Sequence, residues 1–144
     1  MNTVSAEFDC PPDQVFAVLA DGWLYPTWVV GASRMRDVDE SWPAEGAKLH
    51  HSVGAWPALI DDTTSVLEWN PPTQMVLKAR AWPAGSAIVR LTVEASGAGC
   101  LVTMEEDAVE GPARLLPKPL RSAAIRVRNV ETLKRLAYIA ENRH

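Results

Sequence analysis

The C-terminal segment restricts the fold more than any other stretch. Prolines stand at positions 112, 117 and 119. After them Leu120, Ala123, Ala124, Val127, Val130, Leu133, Ala137 and Ala140 recur at helical spacing, with the arginines largely between them. Proline is tolerated in a first helical turn, so the pattern predicts one helix over 118–142, about 37 Å long at ~1.5 Å per residue. Such a helix has to lay its apolar stripe on another layer, and it is long enough to cross a whole sheet. Its alanines leave room beneath, where a filled interface would take Leu and Ile. The expectation is a helix that closes over a cavity.

The layer beneath is written upstream. Residues 2–8 alternate, with Val4, Ala6 and Phe8 on one side and Thr3, Ser5 and Glu7 on the other, as in a half-buried strand. Residues 9–21 place Asp9 or Cys10 at a helix cap, prolines in the first turn and Val15, Phe16, Val18 and Leu19 on one face. Residues 23–31 predict a second short helical turn, broken near Pro26 and stopped by Gly31. Strands follow over 32–38, 47–54, 58–69, 74–82, 86–95 and 100–109. Turns lie at 39–46, at Asn70-Pro71-Pro72 and at Ser96-Gly97-Ala98-Gly99. Leu49, His51 and Val53 share a face, as do Met75, Leu77, Ala79 and Ala81, and Ala87, Val89, Leu91 and Val93. For 58–69 alternation leaves two faces open, Asp61/Thr63/Ser65 or Ile60/Asp62/Thr64/Val66. Strands joined by short turns favour an antiparallel sheet with one face covered. The whole chain, 1–144, reads as one α+β domain.

Composition removes several function classes. The net charge of −4 is unevenly spread, with +6 from Ala113 onward and −10 before it. An acidic total and a basic helix without interleaved aromatics argue against nucleic acid; the stripe reads instead as a solvated face beside an acidic body. The longest apolar runs are too short for membrane insertion, and no secretory signal opens the chain. Cys10 and Cys100 fit neither a disulfide scaffold nor a metal motif, and suggest two reduced thiols in a cytoplasmic protein. No phosphate loop, nucleophile elbow, zinc spacing or Cys-x-x-Cys occurs, so no metal or cofactor is expected.

The order of elements and several local stretches carry a resemblance. "FDCPPDQVFAVLAD", "VLEWNPPTQMVLKAR", "LVTMEEDAVEGP" and "LLPKPLRSAAIRVRNVETLKRLAYIAE" resemble the START/SRPBCC superfamily, in its polyketide cyclase/dehydrase-like branch. The resemblance covers nearly the whole chain. It implies a helix-grip fold: a curved seven-stranded antiparallel sheet around a long C-terminal helix, with two short helices between strands 1 and 2. It also implies an internal, mainly hydrophobic pocket and a monomer or homodimer. The superfamily has no universal catalytic motif, and the Cys/His ligands of the Rieske domain that some members carry are missing here. In its sheet the first and last strands are neighbours, so Cys10 and Cys100 are expected close together but unbridged.

On that frame the pocket lining is expected from Trp28, Leu49, Val53 and Trp69, from Met75, Leu77, Val89, Leu91 and Met104 of the later strands, and from Leu120, Ala124 and Val127 of the helix. Val127→Trp is then expected to fill the space. His51, on the Leu49/Val53 face, is a candidate to orient a carbonyl or act as a base. Glu106, on the Val102/Met104 face, is a candidate acid or base, because a carboxylate among apolar side chains resists ionising. The six tryptophans offer stiff surface for a flat ligand.

Three functions of different class follow. One is a binding protein for a small hydrophobic molecule such as a lipid, polyketide or aromatic. The second is a cyclase, aromatase or dehydratase using His51 and Glu106 in the same cavity. The third is an interaction domain that presents its basic C-terminal helix. Polarity of the cavity separates the first two, and a filled cavity favours the third.

Overall fold

The computed structural model describes residues 2–30, 32–53, 60–81, 85–110 and 117–142. Seven strands form one antiparallel sheet: β1 (Asn2–Phe8), β2 (Ala32–Val38), β3 (Lys48–Val53), β4 (Ile60–Asn70), β5 (Gln74–Ala81), β6 (Gly85–Ser96) and β7 (Gly99–Glu110). Their order across the sheet is β1-β7-β6-β5-β4-β3-β2, so all neighbours are consecutive except the first and last, which pair with each other. Helices α1 (Pro12–Leu19) and α2 (Tyr25–Trp28), joined by a 3₁₀ turn at Gly22–Leu24, fill the crossover from β1 to β2. Helix α3 (Lys118–Asn142) closes the chain. This is the helix-grip arrangement that the resemblance implies.

Local chemistry explains the boundaries. Pro12 starts α1, where its missing N–H is not needed. The cap position is Pro11 rather than Asp9 or Cys10, and no side chain caps the helix. Pro26 lies in the first turn of α2 instead of breaking it. The strands match the expected segments within two residues at either end. Register shifts interrupt the ladders in β2, in β4 between Val66 and Glu68, and at Ser86/Ala87, and irregularities of this kind bend a strand locally.

Directly paired residues share a face, so the register assigns the concave side. It carries Asn2, Val4, Ala6 and Phe8 opposite Glu106, Met104, Val102 and Cys100. The row continues through Val89, Leu91 and Val93 into Leu77 and Met75. In β4 the inward face is Asp62/Thr64/Val66: Leu77 pairs Val66, and Ala79 pairs Thr64. Thr64 and Val66 are buried, which settles the alternation that the sequence left open.

The core lies between this concave face, α1, α2 and the C-terminal half of α3, with Phe8, Phe16, Leu19, Leu133 and Leu136 at its centre. Helix α3 packs on β1, α1 and α2, and touches β7. Cys10 and Cys100 are buried and unbridged. Phe8 pairs Cys100, which brings the thiols within hydrogen-bond reach, and burial together with the Cys100 and Glu141 charges pushes the Cys10 thiol up to about 11.

Candidate functional site

His51 is 2% exposed and faces inward from β3. Its Nε2 lies 2.8 Å from Thr64 Oγ1, and the same hydroxyl lies 3.1 Å from the Tyr25 hydroxyl. The Tyr25 ring stacks on the imidazole (5.5 Å between centroids, 20° between planes) and meets Trp28 edge-on at 5.3 Å. Helix α2 thus lays the Tyr25 ring on His51 of β3, with the Trp28 ring beside it. Burial lowers the His51 pKa, with Asp62 partly opposing, so the imidazole is neutral at neutral pH. Burial likewise raises Tyr25. The hydroxyl directions that the sequence could not supply are therefore settled for Tyr25, while Tyr138 points outward and is exposed.

The second polar group spans β7 and α3. Glu106 is 6% exposed, but its carboxylate accepts from Arg128 Nη2 and, at 3.3 Å, from Asn129 Nδ2. Arg128 Nε also donates to Asn129 Oδ1. The expected carboxylate isolated among apolar side chains is corrected here: Glu106 has a cation and an amide at hand. Smaller charge effects of Glu106 and Arg128 also reach the Tyr25 phenol, after burial and its Thr64 bond.

The helix side of the site differs most from expectation. Leu120 and Val127 are 61% and 74% exposed, and Ala124 is exposed as well. The expectation that these three residues line a pocket is overturned by simple geometry. Twenty residues from Leu120 to Ala140 turn the helix by about 100° each, leaving the two ends of the stripe about 160° apart. The stripe stepped faster than a helix turns, and only its C-terminal part, Leu133, Ala137 and Ala140, faces inward. The inner face at the middle of the helix is polar: Asn129 and Thr132 are buried, and Thr132 Oγ1 accepts from Val30 N at 3.2 Å.

The other expected lining residues divide. Trp28, Leu49, Met75, Leu77, Val89, Leu91 and Met104 are buried in the one core cluster. Trp69 packs edge-on against Phe16 at 5.3 Å. Trp42 donates its Nε1–H to Leu19 O at 3.1 Å, and Trp23 is exposed. The Val53 side chain, Trp56 and Trp82 lie outside the described residues.

Two observations mark open or unsatisfied space. Ala79 and Ala87 sit directly opposite each other on the concave face of two interior strands, one step beyond the buried Leu77–Val89 pair, yet both remain partly accessible. Trp28 Nε1, His51 Nδ1 and Ser86 Oγ are buried without any hydrogen-bond partner. A separate groove of about 390 Å³ runs outside, between Thr27 and the Glu131–Ile139 stretch of α3. Among the described residues no cluster of three His, Cys, Asp or Glu side chains could hold a metal, and no helix is long and apolar enough to cross a membrane.

Comparison with known proteins fits this geometry. Residues 2–141 match the family model described as polyketide cyclase / dehydrase and lipid transport. The chain belongs to that family. Protein NE0264 from Nitrosomonas europaea superposes with a TM-score of 0.73 at 12% identity, over 99% of this chain and 94% of that one. Ara h 8.0201 gives 0.71 at 14%, over 97% of both chains. The di-domain ARO/CYC StfQ from the steffimycin biosynthetic pathway gives 0.71 at 14%, over 98% of this chain and 50% of that one. Identities this low establish a shared fold. Among curated proteins there is no match.

Proposed function

We propose that this polyketide cyclase/dehydrase-like family member binds a small, mainly hydrophobic molecule between the concave sheet face and α3. The reading is carried by Ala79 and Ala87: small residues on the inner face of central strands, reached by solvent where a filled core would bury them. The Leu77–Val89 pair supplies an apolar floor, and the Tyr25–Thr64–His51 chain a polar wall. Native mass spectrometry of protein from its own host tests it by looking for a co-purifying small molecule. Ala87→Trp should abolish binding of a hydrophobic dye in a protein that still folds; unchanged dye binding would reject the site.

A second reading, a cyclase or dehydratase in the same cavity, draws support from His51, whose neutral imidazole keeps one nitrogen unpaired. Catalysis of that kind needs a folded substrate chain and a positioned proton more than a fixed motif. In it Glu106 holds α3 against β7, and His51 is the group that meets substrate. Turnover of a poly-β-ketone chain that is lost in His51→Phe, with dye binding kept, separates the enzyme from the carrier.

A further inference from the structure

Four large hydrophobic side chains stand exposed on α3: Leu120, Val127, Val130 and Tyr138. At about 100° per residue, Leu120, Val127 and Tyr138 fall within about 20° of one line along the helix. Glu131 and Lys134 lie within about 40° of that line, between Val127 and Tyr138, and both are exposed. The buried Asn129, Leu136 and Ala140 occupy the opposite side, against the core.

The order along this outward line is its own complement. Val127, Glu131, Lys134 and Tyr138 run apolar, acid, base, apolar, at steps of four, three and four. A second α3 laid antiparallel, about a two-fold axis between positions 132 and 133, reverses that order. Glu131 of each copy then faces Lys134 of the other, and Val127 faces Tyr138. A two-fold contact between identical chains requires a patch that complements itself in this way. The neighbouring cations are already matched: Arg135 Nε donates to Glu131 Oε1 at 3.3 Å, and Arg128 holds Glu106. Lys134 has no carboxylate partner among the described residues, so its charge is available to another molecule. An anionic bilayer would suit Lys134 but would meet a carboxylate, Glu131, in the middle of the line; a second copy suits both.

We propose that α3 pairs antiparallel with α3 of a second copy through Val127, Glu131, Lys134 and Tyr138. The contact uses the side of the helix that faces away from the sheet, so it is independent of the cavity reading. A single helix pair falls below the ~1,200 Å² of a standard interface, which places the dimer in the weak, concentration-dependent class.

Sedimentation equilibrium from about 5 to 500 μM tests it, with a dissociation constant expected on the order of tens of micromolar. Lys134→Glu gathers four carboxylates at the axis and should weaken the dimer at least about tenfold; Glu131→Lys gathers four cations there and should do the same. Mixed together, the two variants should form a one-to-one heterodimer, because every carboxylate again faces an ammonium. Damage to the fold would not be rescued by mixing. Association that survives both reversals, or variants that stay apart when mixed, overturns the proposed register. A wild-type chain that is monomeric throughout overturns the pairing itself, and if that monomer binds phosphatidylglycerol-containing vesicles the outward line belongs to a membrane instead.

Discussion

A neutral imidazole sealed inside the protein makes its stability sensitive to mild acid. Burial depresses the His51 pKa below its ordinary value of about 6.5. Above that value both folded and unfolded states are neutral and the group contributes no pH dependence. As pH falls below it, the unfolded chain takes up the proton first, so stability should decline until the folded pKa is passed. Urea denaturation from pH 7.5 to 5 should show this decline, and His51→Phe should flatten it. Asp39 acts in a lower window. The His50 and Lys48 hydrogen bonds lower its pKa, so its contribution is present above the ordinary carboxylate range and lost as pH falls through the folded value. Glu106 depends on its partners in another way. Arg128→Leu removes the cation from a buried carboxylate, and because the guanidinium is partly exposed the expected cost is about 2 kcal/mol in urea denaturation. Adding Glu106→Leu should recover most of the loss, because no uncompensated charge then remains.

At the scale of elements, α3 shows what the sequence could and could not give. Its limits, 118 to 142, were legible from the prolines and the spacing. Its orientation was not, because alanine fits either face and the inner face at its middle is built from Asn129 and Thr132. Those residues look solvent-facing until their partners, Glu106 and the Val30 amide, are placed beside them. Val127→Trp, expected from the stripe to fill the pocket, should instead leave dye binding intact and change stability by less than ~0.5 kcal/mol. Leu136→Ala, on the true inner face, should cost about 3 kcal/mol by thermal or urea unfolding. The strands were more readable, since a period of two leaves only two faces to choose between, and pairing to Ala79 and Leu77 decided the one open case. The β1–β7 ladder has a further requirement at Gly99. A Cβ there would stand 2.2 Å from Phe8 O, so Gly99→Ala must push the two strands apart, at an expected cost of about 2 kcal/mol in the same assay.

Over the whole molecule, the concave sheet and its helix were recoverable from sequence because each element repeats one period long enough to be recognised. The buried polar chain of Tyr25, Thr64 and His51 was not. Tyr25, Thr64 and His51 are far apart in the chain, and no local spacing announces that α2 will bring a phenol onto β3. The two sheet edges also differ. β2 pairs only with β3 and carries two irregularities, whereas β1 is held by β7 on one side and packed against α3. Native-state hydrogen exchange should therefore find the β1 amides, Val4 and Ala6 among them, exchanging with the slow global class, and the β2 amides exchanging earlier.

The pairing of β1 with β7 sets a schedule for synthesis. β1 leaves the ribosome about a hundred residues before the strand it pairs with, from Asn2 to Glu106 in the extreme case. Until then the β1 backbone lacks its ladder partner, and the nascent chain carries an unpaired strand margin. A newborn copy of this protein thus cannot close the β1 side of its sheet until β7 has been translated.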